Sequence, residues 1–139
     1  MSSDCLFCKI VAGDVPSHKV YENENVYAFL DIGPVSTGHA LFIPKEHATD
    51  LCSGSRKVAC DVMGAIHDVA PKIMEALGAS GFNLGVNHGA DAGQIVFHTH
   101  VHFMPRYAGE LRTFEKSQPS QEELAAVAAQ IREKTMPEL

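Results

Sequence analysis

No stretch of this sequence approaches the ~20 consecutive apolar residues that a membrane-spanning helix needs, so no membrane partner is expected. Met1 to Lys9 lacks a basic segment followed by an apolar run. That is not the pattern of a secretion signal, and a cytoplasmic location is the default expectation. Positive charge is also scarce, with 11 basic residues against 17 acidic and a formal net charge of -6. Duplex binding normally needs a basic face, so a nucleic-acid polymer is not the expected partner. A small nucleotide stays open, because a nest of backbone N–H groups can hold phosphate on an acidic protein. Cysteines number four. Without a secretion signal, the pair Cys5-x-x-Cys8 reads better as a metal or redox site than as half of a disulfide framework.

The 139 residues are 45% hydrophobic, enough for one globular domain over 1–139 with a real core. Asp4 can cap a short helix that runs to Ala12 and ends at Gly13. Lys19 to Tyr21 and Val26 to Leu30 read as strands about a turn at Asn23-Glu24-Asn25. Asp31 to Gly38 reads as a loop, and His39 to Pro44 as a third strand. Val58, Val62, Ile66, Val69, Ile73 and Leu77 repeat at helical spacing. Ala59, Met63, Ala70 and Met74 add a second apolar side, which predicts burial against both a sheet and a partner chain. Pro71 should kink this helix. Phe82 to Val86 and Ile95 to Met104 read as strands around a polar loop, Asn87 to Gly93, and Pro105 should close the last of them. Pro119 to Glu123 carries a capping box for a final helix over about 120–134. The expected fold is α+β, an antiparallel sheet of about five strands with helices on one face.

The densest chemistry is His98-Thr99-His100-Val101-His102. In a strand, alternate residues share a face and stand about 6.5 Å apart, so the outer two rings would be roughly 13 Å apart. One metal ion reaching about 2 Å to each nitrogen could not easily hold all three. Histidine titrates near neutrality and serves as proton-transfer group or nucleophile, so a row of three is most simply a place for phosphate or acyl chemistry. A glycine-rich loop directly before the row, with Asn87, Gly93, Gln94 and Ile95, can offer N–H groups to an anion. Cys52 and Cys60 read as ordinary thiols, and His18, His67 and His88 as surface or interface residues.

The row resembles the signature of the histidine-triad (HIT) nucleotide-binding family. Ala28-Phe29-Leu30-Asp31-Ile32, Gly38-His39-Ala40-Leu41-Phe42-Ile43-Pro44-Lys45-x-His47 and Asn87-x-Gly89-x-x-x-Gly93-Gln94 are similar to its other blocks, in the same order. The resemblance covers Cys5 to Pro105 and points to the Hint-like, zinc-containing branch. Thr99 stands where the family prefers a hydrophobic residue. Ile95 stands where many Hint members carry a serine that helps protonate the leaving group.

The resemblance implies a HIT-like fold and a homodimer. It implies a hydrolase or nucleotidyl transferase acting at the α-phosphate of purine nucleotide conjugates, phosphoramidates or acyl-adenylates first. A dinucleoside polyphosphate hydrolase and a nucleotide-binding or scaffolding module with little turnover are the alternatives. His100 would be the nucleophile, His102 would contact the α-phosphate and leaving group, and His39 would complete the polar site. Asp31 would hold the ribose hydroxyls. Asn87 and the Gly93-Gln94-Ile95 backbone would cradle phosphate. Leu6, Phe7, Ile10, Phe29 and Ile32 would sandwich the base. Cys5, Cys8, His47 and His98 would bind a structural Zn2+.

Overall fold

Cys5 opens the first helix, α1 (Leu6–Ala12), in a computed structural model that describes residues 4–137. The ends of the expected 1–139 domain, residues 1–3 and 138–139, lie outside the described residues. The expected cap, Asp4, is displaced by one position. The Cys5 thiol accepts from the Cys8 N–H at 3.4 Å, so the same sulfur that could bind a metal also starts the helix. Gly13 ends it at φ 85°, a conformation that favours glycine.

Five strands follow: β1 (Lys19–Glu22), β2 (Val26–Leu30), β3 (Ala40–Pro44), β4 (Gly81–Gly85) and β5 (Val101–Arg106). They form one antiparallel sheet in the order β1-β2-β3-β5-β4. The turn between β1 and β2 is held by Asn23 Oδ1, which accepts from the N–H groups of Asn25 and Val26. The long helix α2 (Arg56–Leu77) continues through Pro71 and stops at Gly78, and α3 (Gln121–Thr135) begins with a complete Ser120–Glu123 capping box.

β2 and β3 alternate in what they touch, although every residue in them is buried. Val26, Ala28, Leu30, Ala40 and Phe42 pack with Val62, Ile66, Val69 and Ile73 of α2 and Leu124, Ala128 and Ile131 of α3. Tyr27, Phe29, Leu41 and Ile43 pack with Phe7 and Ile10 of α1. The helices therefore cover both faces, not one as the sequence suggests. A two-sided sheet reads as an apolar run and hides which helix lies on which side. On α2 the second apolar side is only partly covered, with Met63 49% exposed.

The last strand also differs from its expected span. It starts at Val101, not Ile95, because the stretch before it bonds to a loop: Thr99 donates from both N and Oγ1 to the Ala48 carbonyl. It runs through Pro105 to Arg106. β3 leaves β5 after Phe103, so Pro105 needs no ladder bond on that side and pairs only with β4.

Candidate functional site

The histidine row straddles the start of β5, and its three rings receive three different partners. His98, fully buried, has Nε2 2.8 Å from the Pro44 carbonyl. A carbonyl can only accept, so this nitrogen carries the proton and Nδ1 keeps its lone pair. That Nδ1 lies 3.4 Å from Cys5 Sγ, 3.6 Å from Cys8 Sγ and 3.2 Å from His47 Nδ1, while Cys8 Sγ lies 3.3 Å from His47 Nδ1. Tetrahedral zinc with bonds of about 2.0–2.1 Å to nitrogen and 2.3 Å to sulfur would space its ligands by about 3.3–3.8 Å. The four donors fit that shell, and the expected metal set is brought together. Burial, reinforced by His47 and His100 and opposed by the Pro44 bond, lowers His98 to about 4. The ring is neutral at pH 7, the form a metal ligand requires.

His100 is 8% exposed, and its Nδ1 lies 2.8 Å from the His98 carbonyl. The same logic places the proton of the neutral ring on Nδ1 and leaves the lone pair on Nε2. Phe7 stacks edge-on against both His98 and His100, at 5.9 and 5.1 Å between centroids. His102 follows, with its ring 5.2 Å from that of His100.

A second chain of hydrogen bonds fixes the other tautomers. The Val35 N–H donates to His39 Nδ1 at 3.1 Å, so His39 carries its proton on Nε2 and donates it to His102 Nδ1 at 2.9 Å. His102 is then left with an N–H at Nε2. Burial, first of all, lowers His39 to about 4, with Asp31 opposing and His102, Arg106 and Lys116 adding to it. Burial likewise lowers His102, and the His100 charge adds to the shift. Asp31 Oδ2 stands 3.7 Å from His39 Nε2 and 4.0 Å from His102 Nδ1. With both rings neutral these are polar contacts and not ion pairs. Asp31 Oδ1 accepts from the Gly33 N–H at 2.8 Å, which orients the carboxylate. Asp31, His39 and His102 are close enough to hold a metal between them, but both nitrogens of His39 are already committed.

The expected base wall gathers as well. Leu6, Phe7, Ile10, Phe29 and Ile32 all line one cavity of about 400 Å³, with Asp31 at its edge. Val15, Leu41, His18 and Gln121 line it too, and sequence reasoning missed them. His18, read from sequence as a surface or interface residue, has Nε2 2.7 Å from Gln121 Oε1 and so ties α3 to the pocket. No local pattern marks a residue brought 103 positions along the chain to its partner.

The expected phosphate cradle is only partly available. The N–H groups of Gly93 and Gln94 are spent on Ala90 and Gly89, closing a 3₁₀ turn over Ala90–Ala92. The Gln94 side chain is buried and braces the loop, accepting from Gly89 N and donating to the carbonyls of Thr49 and Val96. The Gly93 and Gln94 N–H groups are thus paired inside the loop's own turn, and the two residues shape the loop beside Asn87. Asn87, resting against Gly93, and the Ile95 N–H remain as donors.

Three comparisons bear on this arrangement. The family model described as "HIT domain" matches residues 12–109. The matched stretch excludes Cys5, Cys8 and all of α3. Adenylylsulfatase HINT3 of Arabidopsis thaliana is 42% identical over 106 residues, 76% of this chain and 54% of that protein. Adenosine 5'-monophosphoramidase hnt1 of Schizosaccharomyces pombe is 42% identical over 102 residues, 73% of this chain and 74% of that one. Among solved structures, a Zn-bound histidine triad family protein from Mycobacterium smegmatis superposes with a TM-score of 0.72 at 37% identity, covering 92% of this chain and 95% of the other.

Proposed function

This chain belongs to the HIT domain family, and from that premise we propose that it hydrolyses purine nucleotide conjugates at the α-phosphate through a covalent intermediate on His100. The observation that carries this reading is the fixed tautomer of His100. Its Nδ1–H is held by the His98 carbonyl, so the neutral ring presents its lone pair at Nε2. Relatives named as a phosphoramidase and an adenylylsulfatase support the reaction class.

The base lies in the cavity walled by Leu6, Phe7, Ile10, Phe29 and Ile32, and the ribose hydroxyls donate to Asp31. Asn87 and the Ile95 N–H contact phosphate oxygens. His100 Nε2 attacks phosphorus and forms a P–N bond as the bond to the departing amine or acyl oxygen breaks. The departing group takes its proton from solvent water, and His102 Nε2–H, set in place by the hydrogen-bond chain, bonds to the α-phosphate oxygen and the leaving atom without giving up its proton. Ile95 has no side-chain proton to give. Water then cleaves the P–N bond, releasing nucleoside monophosphate and restoring the imidazole. Dividing one displacement into two is the gain of covalent catalysis.

Cys5, Cys8, His47 and His98 would hold structural zinc. A zinc ion there would fix His98, and with it the carbonyl that orients His100. The exposed edge of β4, with Phe82, Leu84 and Val86 all partly bare, suits pairing with a second copy as a homodimer. Four free cysteines suit the cytoplasm, where thiols stay reduced.

Mass spectrometry of protein quenched during turnover of adenosine 5'-phosphoramidate tests the reading. A nucleotidyl adduct on His100 is expected. Turnover with no adduct, or with one on another residue, overturns it. Light scattering tests the dimer.

A further inference from the structure

Among the described residues, two buried side-chain polar atoms lack a hydrogen-bond partner: Ser36 Oγ and Arg106 Nη2. Both residues line the same small cavity of about 80 Å³, between the loop after β2 and the segment after β5. Arg106 is otherwise firmly held. Its Nε donates to Asn83 Oδ1 at 2.9 Å, its Nη1 donates to the Thr113 carbonyl at 2.8 Å, and its guanidinium lies 4.9 Å from the Phe114 ring centroid. Arg112 lines the cavity too. Burial lowers the pKa of Arg106, and the neighbouring charge of Arg112 lowers it further. Two arginines and two unpaired buried polar atoms thus line one void, with Arg112 solvent-exposed and its guanidinium 5.8 Å from the Phe114 ring centroid, and an unpaired buried donor carries its full desolvation cost.

At about 80 Å³ against about 400 Å³ for the cavity behind Phe7, the void is too small to enclose a nucleoside. Water would pair the donors but leave the two guanidiniums repelling. A small oxyanion answers both, with acceptors for each donor and negative charge between the cations. Glu110 also lines the cavity and opposes an anion, one carboxylate against two guanidiniums.

We infer that this cavity is a second anion site, apart from the histidines, that takes one phosphate- or sulfate-sized oxyanion between Ser36, Arg106 and Arg112. Val35, the neighbouring lining residue, gives its N–H to His39. An occupied cavity therefore steadies the loop that sets the His39 tautomer.

The test is an NMR titration of the full chain with sodium sulfate, against sodium chloride at matched ionic strength. It follows the amides of Val35 and Ser36 and the Nε–H of Arg106. Saturable shifts at these three groups are expected with sulfate and not with chloride. Ser36→Ala and Arg112→Gln should each weaken binding about tenfold, and Glu110→Gln should tighten it. The melting temperature of sulfate-free Ser36→Ala should equal or exceed that of the wild type, because the lost hydroxyl had no partner. If the oxyanion is the terminal group of a longer nucleotide, ADP but not AMP competes with sulfate; if it is a free inorganic ion, neither does. Sulfate shifts confined to His100 and His102, or sulfate binding unchanged in both weakening variants, would overturn the inference. Either result leaves the His100 adduct untouched, so the two readings fail separately.

Discussion

The first and middle members of the histidine row use the same side chain in opposite ways. At His98 the lone pair points inward, to two thiols and a second imidazole, and Thr99 beside it locks the chain to Ala48. At His100 the lone pair has no such partner, and the ring stands beside Phe7, whose own ring lines the apolar cavity. In both rings a backbone carbonyl chooses the tautomer, Pro44 for His98 and His98 itself for His100. The carbonyl binds Nε2 in the first ring and Nδ1 in the second, and that switch turns one lone pair toward the thiols and leaves the other without such a partner. A repeated residue type therefore says little until the acceptor facing each nitrogen is known.

The largest effect should come from breaking the nucleophilic end. His100→Ala should lower turnover of adenosine 5'-phosphoramidate by about 10⁴-fold, with little change in melting temperature. Steady-state product assays beside thermal melts read both. A loss of less than tenfold would show that the row's middle ring is not the reacting group.

Breaking the metal end should invert that pattern. Cys8→Ala, or removal of metal by a chelator, should lower the melting temperature by on the order of 10 °C and reduce turnover about 10–100-fold. Unchanged stability in both experiments would rule out a structural metal.

Asp31→Asn probes the substrate side of the comparison. It should cost about tenfold to hundredfold in kcat/KM through loss of charge-assisted bonds. The penalty should vanish with a substrate lacking both ribose hydroxyls.

Thr99→Val sharpens the contrast at its midpoint. Losing the Oγ1 bond to Ala48 should cost about 1 kcal/mol, seen as a shift of a few degrees in the melt, with catalysis nearly unaffected.

A pH slope completes the comparison. Burial holds His39 at about 4 in the folded chain, against about 6.5 unfolded. Above pH 6.5 both states are neutral and the group contributes no dependence. As pH falls from 6.5 toward 4 the unfolded chain takes up a proton that the native site refuses, so stability drops across that window. Chemical denaturation at a series of pH values should show a shallower drop for His39→Gln than for the wild type.

Much of the site was legible because its residue types are chemically uncommon and closely spaced. Cys5-x-x-Cys8 and the alternating histidines announced thiolate and imidazole chemistry, and the wall residues Leu6, Phe7, Ile10, Phe29 and Ile32 meet in one cavity. Most strand and helix spans were legible from periodicity, down to the Ser120 capping box, whereas β5 begins at Val101 and not at Ile95. What stayed hidden depends on where backbone donors go. Gly93 and Gln94 look like an anion loop, and their N–H groups are consumed by a turn. His18 and Gln121 look like unrelated surface residues, and they meet at the pocket. Asp4 looks like a better cap than Cys5, and the thiol takes the position.

Composition and order along the chain were enough to say which groups are available: three imidazoles in a row, a thiol pair, an apolar wall and one well-placed carboxylate. Such facts are local, carried by covalent spacing and by the period of each element. Folding alone assigns the roles, because the carbonyl that meets each ring nitrogen comes from another part of the backbone. The same long-range pairing leaves two single atoms, Ser36 Oγ and Arg106 Nη2, without partners around one cavity, through contacts that spacing along the chain does not encode.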